Sequence, residues 1–310
     1  RGTGRRCQGA QGDAMSDTMA SLRRKITSSR DLQSVVRTMK AMAAMNIGQY
    51  EQSVKALANY YRTVELGLSA SFREHRPEVF SEEEEEGHAK VRSIVAVVFG
   101  SDQGLVGQFN DEVADYAIKT LANMHGEPQV WAVGERVHAR LTESGLSPAG
   151  LFTVPISIKA ITPLVGQILI SSVTRENQDE VIELHLFYNK PTSLALYEPA
   201  SQQLLPLDDN WLRSLSELPW PTKYLSEVIG GGGFALRALI REYLFVSLYR
   251  ACAESLASEN ASRLAAMERA DKNIDDILET LQDLFHSLRQ SGIDEELFDV
   301  ISGFEALTSK

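Results

Sequence analysis

Residues 47–68 read IGQYEQSVKALANYYRTVELGL, and their apolar members decide the fold. Ile47, Tyr50, Val54, Leu57, Tyr61, Val64 and Leu68 follow one another at alternating steps of 3 and 4. That is a heptad seam, the pattern of a helix wound against another helix. Upstream, Leu32, Val35, Met39 and Met42 keep the rhythm in a different phase. The sequence therefore predicts a slip of the seam around residues 43–46. A second such pattern lies near the other end, at Ile274, Leu278, Leu281, Phe285 and Leu288.

The prolines frame these two segments. All ten lie between Pro77 and Pro221. Proline removes a backbone donor and clashes with the preceding turn, at about 3 kcal/mol in a helix interior. Two long helices flanking a compact middle are therefore expected. The domain reading is a disordered tail over 1–18, an N-terminal coiled-coil helix over 19–76, an α/β module over 77–225 and a C-terminal coiled-coil helix over 226–310. The helices should run antiparallel, with the second longer by about 20 residues at the ~1.5 Å rise of an α-helix. Charge supports the pairing. Residues 15–76 carry ten Lys/Arg against five Asp/Glu, and residues 234–310 carry eight against fourteen.

The middle alternates in type. Residues 91–99 (VRSIVAVVF) read as a strand buried on both faces, 100–110 (GSDQGLVGQFN) as a Gly-rich turn and 111–125 as a helix. A strand at 129–133, a helix at 135–144 closed by Gly145, a helix at 163–176 and a half-exposed strand at 181–188 follow, with 193–198 as its partner. Residues 201–221 read as an irregular connector, and the four glycines at 230–233 as a hinge. Strands interleaved with helices give an α/β layer with a largely parallel, Rossmann-like sheet. The run SEEEEEG at 81–87 is a solvated loop.

Chemistry-bearing patterns are missing. The net charge of −11 argues against a nucleic-acid partner. The turn glycines Gly100, Gly104 and Gly107 match neither nucleotide-binding spacing, and no lysine follows to meet a phosphate. A structural turn is the favoured reading, with Asp102 placed to cap the helix that follows it. The six histidines and the two cysteines, Cys7 and Cys252, form no ligand pattern, and Cys252 reads as a small core residue. No catalytic residue, cofactor or metal is expected, and no run is long and apolar enough to span a membrane.

Three groups of residues carry a resemblance. Arg23-Arg24-Lys25-Ile26 with Arg37-Thr38-Met39 and Ala43-Ala44 resembles the opening helix of the gamma subunits of F-type ATP synthases. Phe99-Gly100-Ser101-Asp102-Gln103-Gly104-Leu105, with Gly107 and Phe109-Asn110, resembles that family's turn. Leu248-Tyr249-Arg250, residues 254–260 (ESLASEN), Arg263, Ala265-Ala266-Met267 and the closing Ile301-Ser302-Gly303 with Glu305-Ala306-Leu307 resemble its C-terminal signature. The resemblance implies a non-catalytic rotor shaft that couples ion flow to ATP synthesis or hydrolysis. Its implied partners are the alpha and beta subunits of the catalytic hexamer, the epsilon subunit and the membrane rotor c-ring. Its implied location is peripheral, on the cytoplasmic face of the bacterial inner membrane. Met39, Arg250, Arg263, Gln290, Asp294 and Glu296 fall at positions the resemblance implies for contact with the catalytic subunits. The nearly uncharged residues 46–51 (NIGQYE) depart from the basic stretch usual there, which marks a divergent member.

Overall fold

The computed structural model describes residues 6–74, 92–124, 126–173, 181–193, 196–207, 211, 214–215, 220–223 and 232–308. The acidic run at 81–87, His125, residues 174–176 and Gly230–Gly231 lie outside them. In chain order the elements are α1 (Arg6–Glu74), β1 (Arg92–Phe99), α2 (Phe109–Leu121), β2 (Gln129–Val133), α3 (Glu135–Glu143), β3 (Gly150–Phe152), α4 (Ile158–Val173), β4 (Val181–Lys190), β5 (Glu198–Leu205) and α5 (Gly232–Thr308).

The chain divides into two compact units. One comprises Arg1–Met42 with Leu264–Lys310, the other Ala43–Arg263. This division crosses the expected one, which followed element type. The cause is packing: residues of α1 and α5 beyond the cut share a core with the sheet.

The larger unit is built on a five-stranded sheet of order β3-β2-β1-β4-β5. The first four strands are parallel and β5 is antiparallel to β4. Central β1 is buried on both faces, as its unbroken β-branched run requires. Ile94, Ala96 and Val98 face α2 and α3, packing with Val113, Ala117, Val137, Leu141 and Phe187. Val95, Val97 and Phe99 face the other way, toward α4 and the two long helices, whose Tyr50, Val64, Leu68, Leu244, Leu248 and Leu256 complete that core. Each fully buried Leu or Phe stabilises by about 1.5–3 kcal/mol. The long helices run antiparallel here. Asn46 Nδ2 donates to Asn260 Oδ1, and Tyr60 Oη donates to Glu242 Oε2 at 2.6 Å.

In the smaller unit the helices also pair antiparallel. Ile26 and Val36 of α1 pack with Met267, Ile274 and Leu278 of α5. The charge asymmetry of the sequence becomes contact: Arg37 lies 3.1 Å from Asp271, and Lys40 lies 3.9 Å from Glu268. Gln33, itself buried, donates to Asp275 and Asp271. The Arg23 guanidinium stands 5.3 Å over the Phe285 ring.

Several expectations change. α1 begins at Arg6, not near residue 19, because nothing before residue 77 stops a helix; at 69 residues against 77 the two long helices differ by less than expected. The seam does not slip. Leu22, Ile26, Gln33, Val36, Ala43, Tyr50, Val64 and Leu68 are buried in one phase, while Leu32, Val35 and Met42 are exposed. Pro163 sits inside α4, which starts five residues earlier than expected. The partner of β4 is Glu198–Leu205, not 193–198, so β5 occupies the start of the expected connector. β3 was not foreseen. Gly232 and Gly233 belong to α5, not to a hinge.

Candidate functional site

On the smaller unit, what matters is what α1 leaves outside. Leu32, Val35 and Met42 are 54–55% exposed, and Met39 is half-buried against the inner cluster. Together they form a second apolar stripe at steps of 3, 4 and 3. The seam positions between them hold Gln33 and Lys40, whose partners are the acids of α5. A helix with apolar residues on its outer face is suited to work against another surface.

Gln290, Asp294 and Glu296 are all exposed on α5. Gln290 and Asp294 are one turn apart and share a face, whereas Glu296 stands roughly 200° around the helix from Asp294 at ~100° per residue. The three therefore do not make one patch. Between and beyond them lie apolar residues that sequence reading passed over. Ile293, Leu297, Phe298, Val300, Ile301 and Phe304 are 45–70% exposed. The signal was present: the heptad stripe ending at Leu288 gives way to apolar residues around the helix.

Arg250 and Arg263 belong to the larger unit. Each pairs within its own helix. Arg250 Nε donates to Glu254 Oε1 at 2.7 Å, and Arg263 Nη2 donates to Glu259 Oε1 at 2.8 Å. The Arg250 side chain is half-exposed, and its guanidinium is held charged by the Glu254 hydrogen bond. The Arg263 side chain is mostly buried. Burial pushes the Glu259 carboxyl above the usual carboxylate range, the Arg263 guanidinium opposes this, and the charge of Asp102 adds to the rise.

Asp102 belongs to the Gly-rich turn. Its Oδ1 accepts from Glu135 N–H at 3.0 Å and its Oδ2 from Val154 N–H at 2.9 Å. It thus caps α3, not the helix that follows the turn, because parallel pairing of β1 with β2 sets the end of β1 beside the start of α3. Ser101 N–H donates to Asn110 Oδ1, and Arg136 N–H donates to the Ser101 carbonyl. Ser262 of α5 donates to the Val106 carbonyl. These bonds make the turn a structural joint among α3, β3 and α5.

Cys252 of α5 is fully buried, and burial pushes its thiol well above the usual range. Only the thiolate is nucleophilic. Iodoacetamide should leave Cys252 unmodified in the folded chain and label it in denaturant, as read by peptide mass spectrometry; labelling in the fold would contradict this packing.

Three kinds of comparison place these features. A family model described as ATP synthase matches residues 18–307. The ATP synthase gamma chain of Nitrosospira multiformis is 26% identical over 301 residues, covering 92% of this chain and 98% of the relative. That of Laribacter hongkongensis is 28% identical over 295 residues, covering 92% and 98%. Among solved structures, the rotor of Euglena gracilis mitochondrial ATP synthase aligns with a TM-score of 0.59 at 16% identity, covering 90% of this chain and 99% of its own. The central stalk and c-ring structure of Tetrahymena thermophila mitochondrial ATP synthase gives a TM-score of 0.51 at 19% identity, covering 76% and 99%.

Proposed function

This chain belongs to the ATP synthase gamma-chain family, the central-stalk rotor subunits of F-type ATP synthases, and from that premise we propose how its surfaces are used. Such a subunit performs no bond-making of its own; its partners do. It transmits rotation between the c-ring and the alpha and beta subunits. In this chain the smaller unit works inside the ring of alpha and beta subunits. The larger unit meets the epsilon subunit and the c-ring.

The observation that carries this reading is the division of polar and apolar groups in the smaller unit. Its polar residues Gln33, Arg37 and Lys40 are engaged with α5, while Leu32, Val35 and Met42 face outward. A shaft that turns against a sleeve must not make many strong directional bonds that break at each step. Apolar contact is non-directional and scales with area, so it tolerates rotation. Met39 lies on this stripe. Gln290, Asp294 and Glu296 supply the few polar contacts that form and release around the C-terminal end of α5. Arg250 and Arg263 act differently, by fixing Glu254 and Glu259 at the sheet end of the helix.

No helix among the described residues is long and apolar enough to cross a membrane. The protein is a peripheral component of a membrane-associated assembly. Its bacterial relatives support a place on the cytoplasmic face of the inner membrane.

Replacing Gln290, Asp294 and Glu296 together by Ala should lower ATPase turnover of the assembled complex roughly threefold to tenfold, about 0.6–1.4 kcal/mol in the barrier. Assembly, read by gel filtration, should be unchanged. Wild-type turnover in the triple variant would remove these residues from the contact.

A further inference from the structure

In the larger unit α5 lies on the sheet core through a face that becomes shallow toward residue 257. Ala251, Cys252, Ala253 and Ala257 all belong to that core. Apolar contact is non-directional, and small side chains raise few ridges to lock into a facing groove. Such a face holds the helix against the sheet but resists its rolling about its own axis only weakly. Polar links cross from α5 to the sheet as well. Gln202 of β5 hydrogen-bonds Tyr243, and the Tyr188 hydroxyl of β4 donates to the Glu254 carboxylate. Ser262 Oγ donates to the Val106 carbonyl in the turn that follows β1. Tyr243 and Glu254 stand roughly 20° apart around the helix, and Ser262 roughly 80° beyond Glu254, at ~100° per residue. The links therefore grip α5 from two directions, and a hydrogen bond weakens steeply when it is bent.

Ser262 is the link with the firmest footing. Its residue and Val106 are both buried. The Val106 carbonyl also accepts from Phe109 N–H at 3.3 Å, at the start of α2. The Tyr197 hydroxyl hydrogen-bonds Ser262, and its ring packs edge-on against Phe109 at 5.4 Å. The turn is itself pinned by the Ser101–Asn110 bond and by the Asp102 cap on α3. Two residues before Ser262, Asn260 takes the bond from Asn46 of α1. All of these residues belong to the larger unit, which ends on α5 at Arg263. We propose that Ser262 is a positioning residue of the rotor: it keys α5 to the Gly-rich turn, so that twist applied to the sheet passes into the shaft helix through directional bonds and not through apolar packing alone. The torque half of the proposal rests on the reading of the chain as a rotor; the key itself does not.

Two measurements separate these halves. For the key, amide hydrogen exchange of the full-length chain is followed by NMR. Ser262→Ala frees the Val106 carbonyl to swing, so the Phe109 amide bonded to it should exchange at least tenfold faster, while the amides of β1 stay protected. Ser262→Thr keeps the hydroxyl and should exchange as the wild type does. Unchanged exchange at Phe109 in Ser262→Ala would overturn the proposal. So would equal acceleration over β1, which would mean that the hydroxyl supports the whole sheet and not the link to α5. For torque, the assembled complex is fixed to a surface through its catalytic subunits, and a bead is attached through Lys119→Cys on the exposed face of α2. The angular fluctuations of the stalled bead give the torsional stiffness. Ser262→Ala should lower it at least twofold, and Ser262→Thr should restore it. A residue that only stabilises the fold leaves the stiffness of the folded complex unchanged, so wild-type stiffness in Ser262→Ala would end the torque role. If the chain does not assemble with an ATPase at all, the functional reading fails while the exchange experiment still decides the key.

Discussion

Gly134→Ala should destabilise the sheet unit by about 3–5 kcal/mol, through backbone strain and overpacking at one site. Gly134 joins β2 to α3 at φ 117°, a region that a residue with a side chain avoids. A Cβ there would lie 2.7 Å from the Ser101 carbonyl oxygen and 2.9 Å from its nitrogen. Those are backbone atoms and cannot swing aside. Ser101 is itself pinned, since its N–H donates to Asn110 Oδ1 and its carbonyl accepts from Arg136 N–H. Gly134 is pinned too, donating to the Phe152 carbonyl at 2.9 Å and accepting from His138 N–H. Relief by movement would break one of these bonds or the Asp102 cap beside them. Urea denaturation followed by circular dichroism measures the loss. A change below about 1 kcal/mol would mean that the joint around Asp102 yields, contrary to the account of it as fixed.

That joint also shows what sequence can and cannot disclose. The strands β1 and β2 were legible because β-branched runs between glycines have few alternatives. The α/β order was legible from alternation alone. The role of the Gly-rich turn was half legible: its spacing excluded a phosphate loop, but the helix that Asp102 caps depends on which strands become neighbours. β5 was misplaced for a related reason. Its sequence, EPASQQLL, is polar and contains Pro199, which suits an edge strand and carries little strand signal of its own. Its pairing is set by β4, against whose outer edge it runs antiparallel.

The long helices were legible in kind, and the phase was wrong only in α1 upstream of residue 43. Periodicity finds an apolar stripe but does not say what the stripe faces. α1 carries two stripes upstream of residue 43. One contains Ile26 and Val36 with Gln33 between them; the other contains Leu32, Val35, Met39 and Met42. The second is richer in apolar residues, so it looks like the seam. The first is inside because Gln33, Arg37 and Lys40 find Asp271, Asp275 and Glu268 on α5. Polar complementarity across the pair decided the phase, and it is invisible in one helix read alone. The partner positions Gln290, Asp294 and Glu296 came from resemblance, and the exposed apolar residues between and beyond them were passed over because no inward seam remained to be explained.

This difference in phase sets the last expectation. Val36→Glu should cost about 3–5 kcal/mol locally, whereas Leu32→Glu, four residues away, should cost within about 0.5 kcal/mol. Val36 is 6% exposed among Ile26, Met267, Ile274 and Leu278. A glutamate there loses the burial of the valine and puts a desolvated charge beside a helix that already presents Asp271 and Asp275. Leu32 is 54% exposed, so a charge there stays in water in the free chain. Amide hydrogen exchange separates the two. Val36→Glu should speed exchange over residues 22–40 and 267–285 and leave the sheet protected; Leu32→Glu should leave both units protected. In the assembled complex the order should narrow or reverse, because the proposed function sets Leu32 against a partner, where a charge must be desolvated without a counter-ion. Both variants should therefore lower ATPase turnover, Val36→Glu by loosening the helix pair and Leu32→Glu with the pair intact. Equal protection loss in the free chain would return the seam to the phase suggested by the sequence, and it would remove the outward stripe on which the functional reading stands.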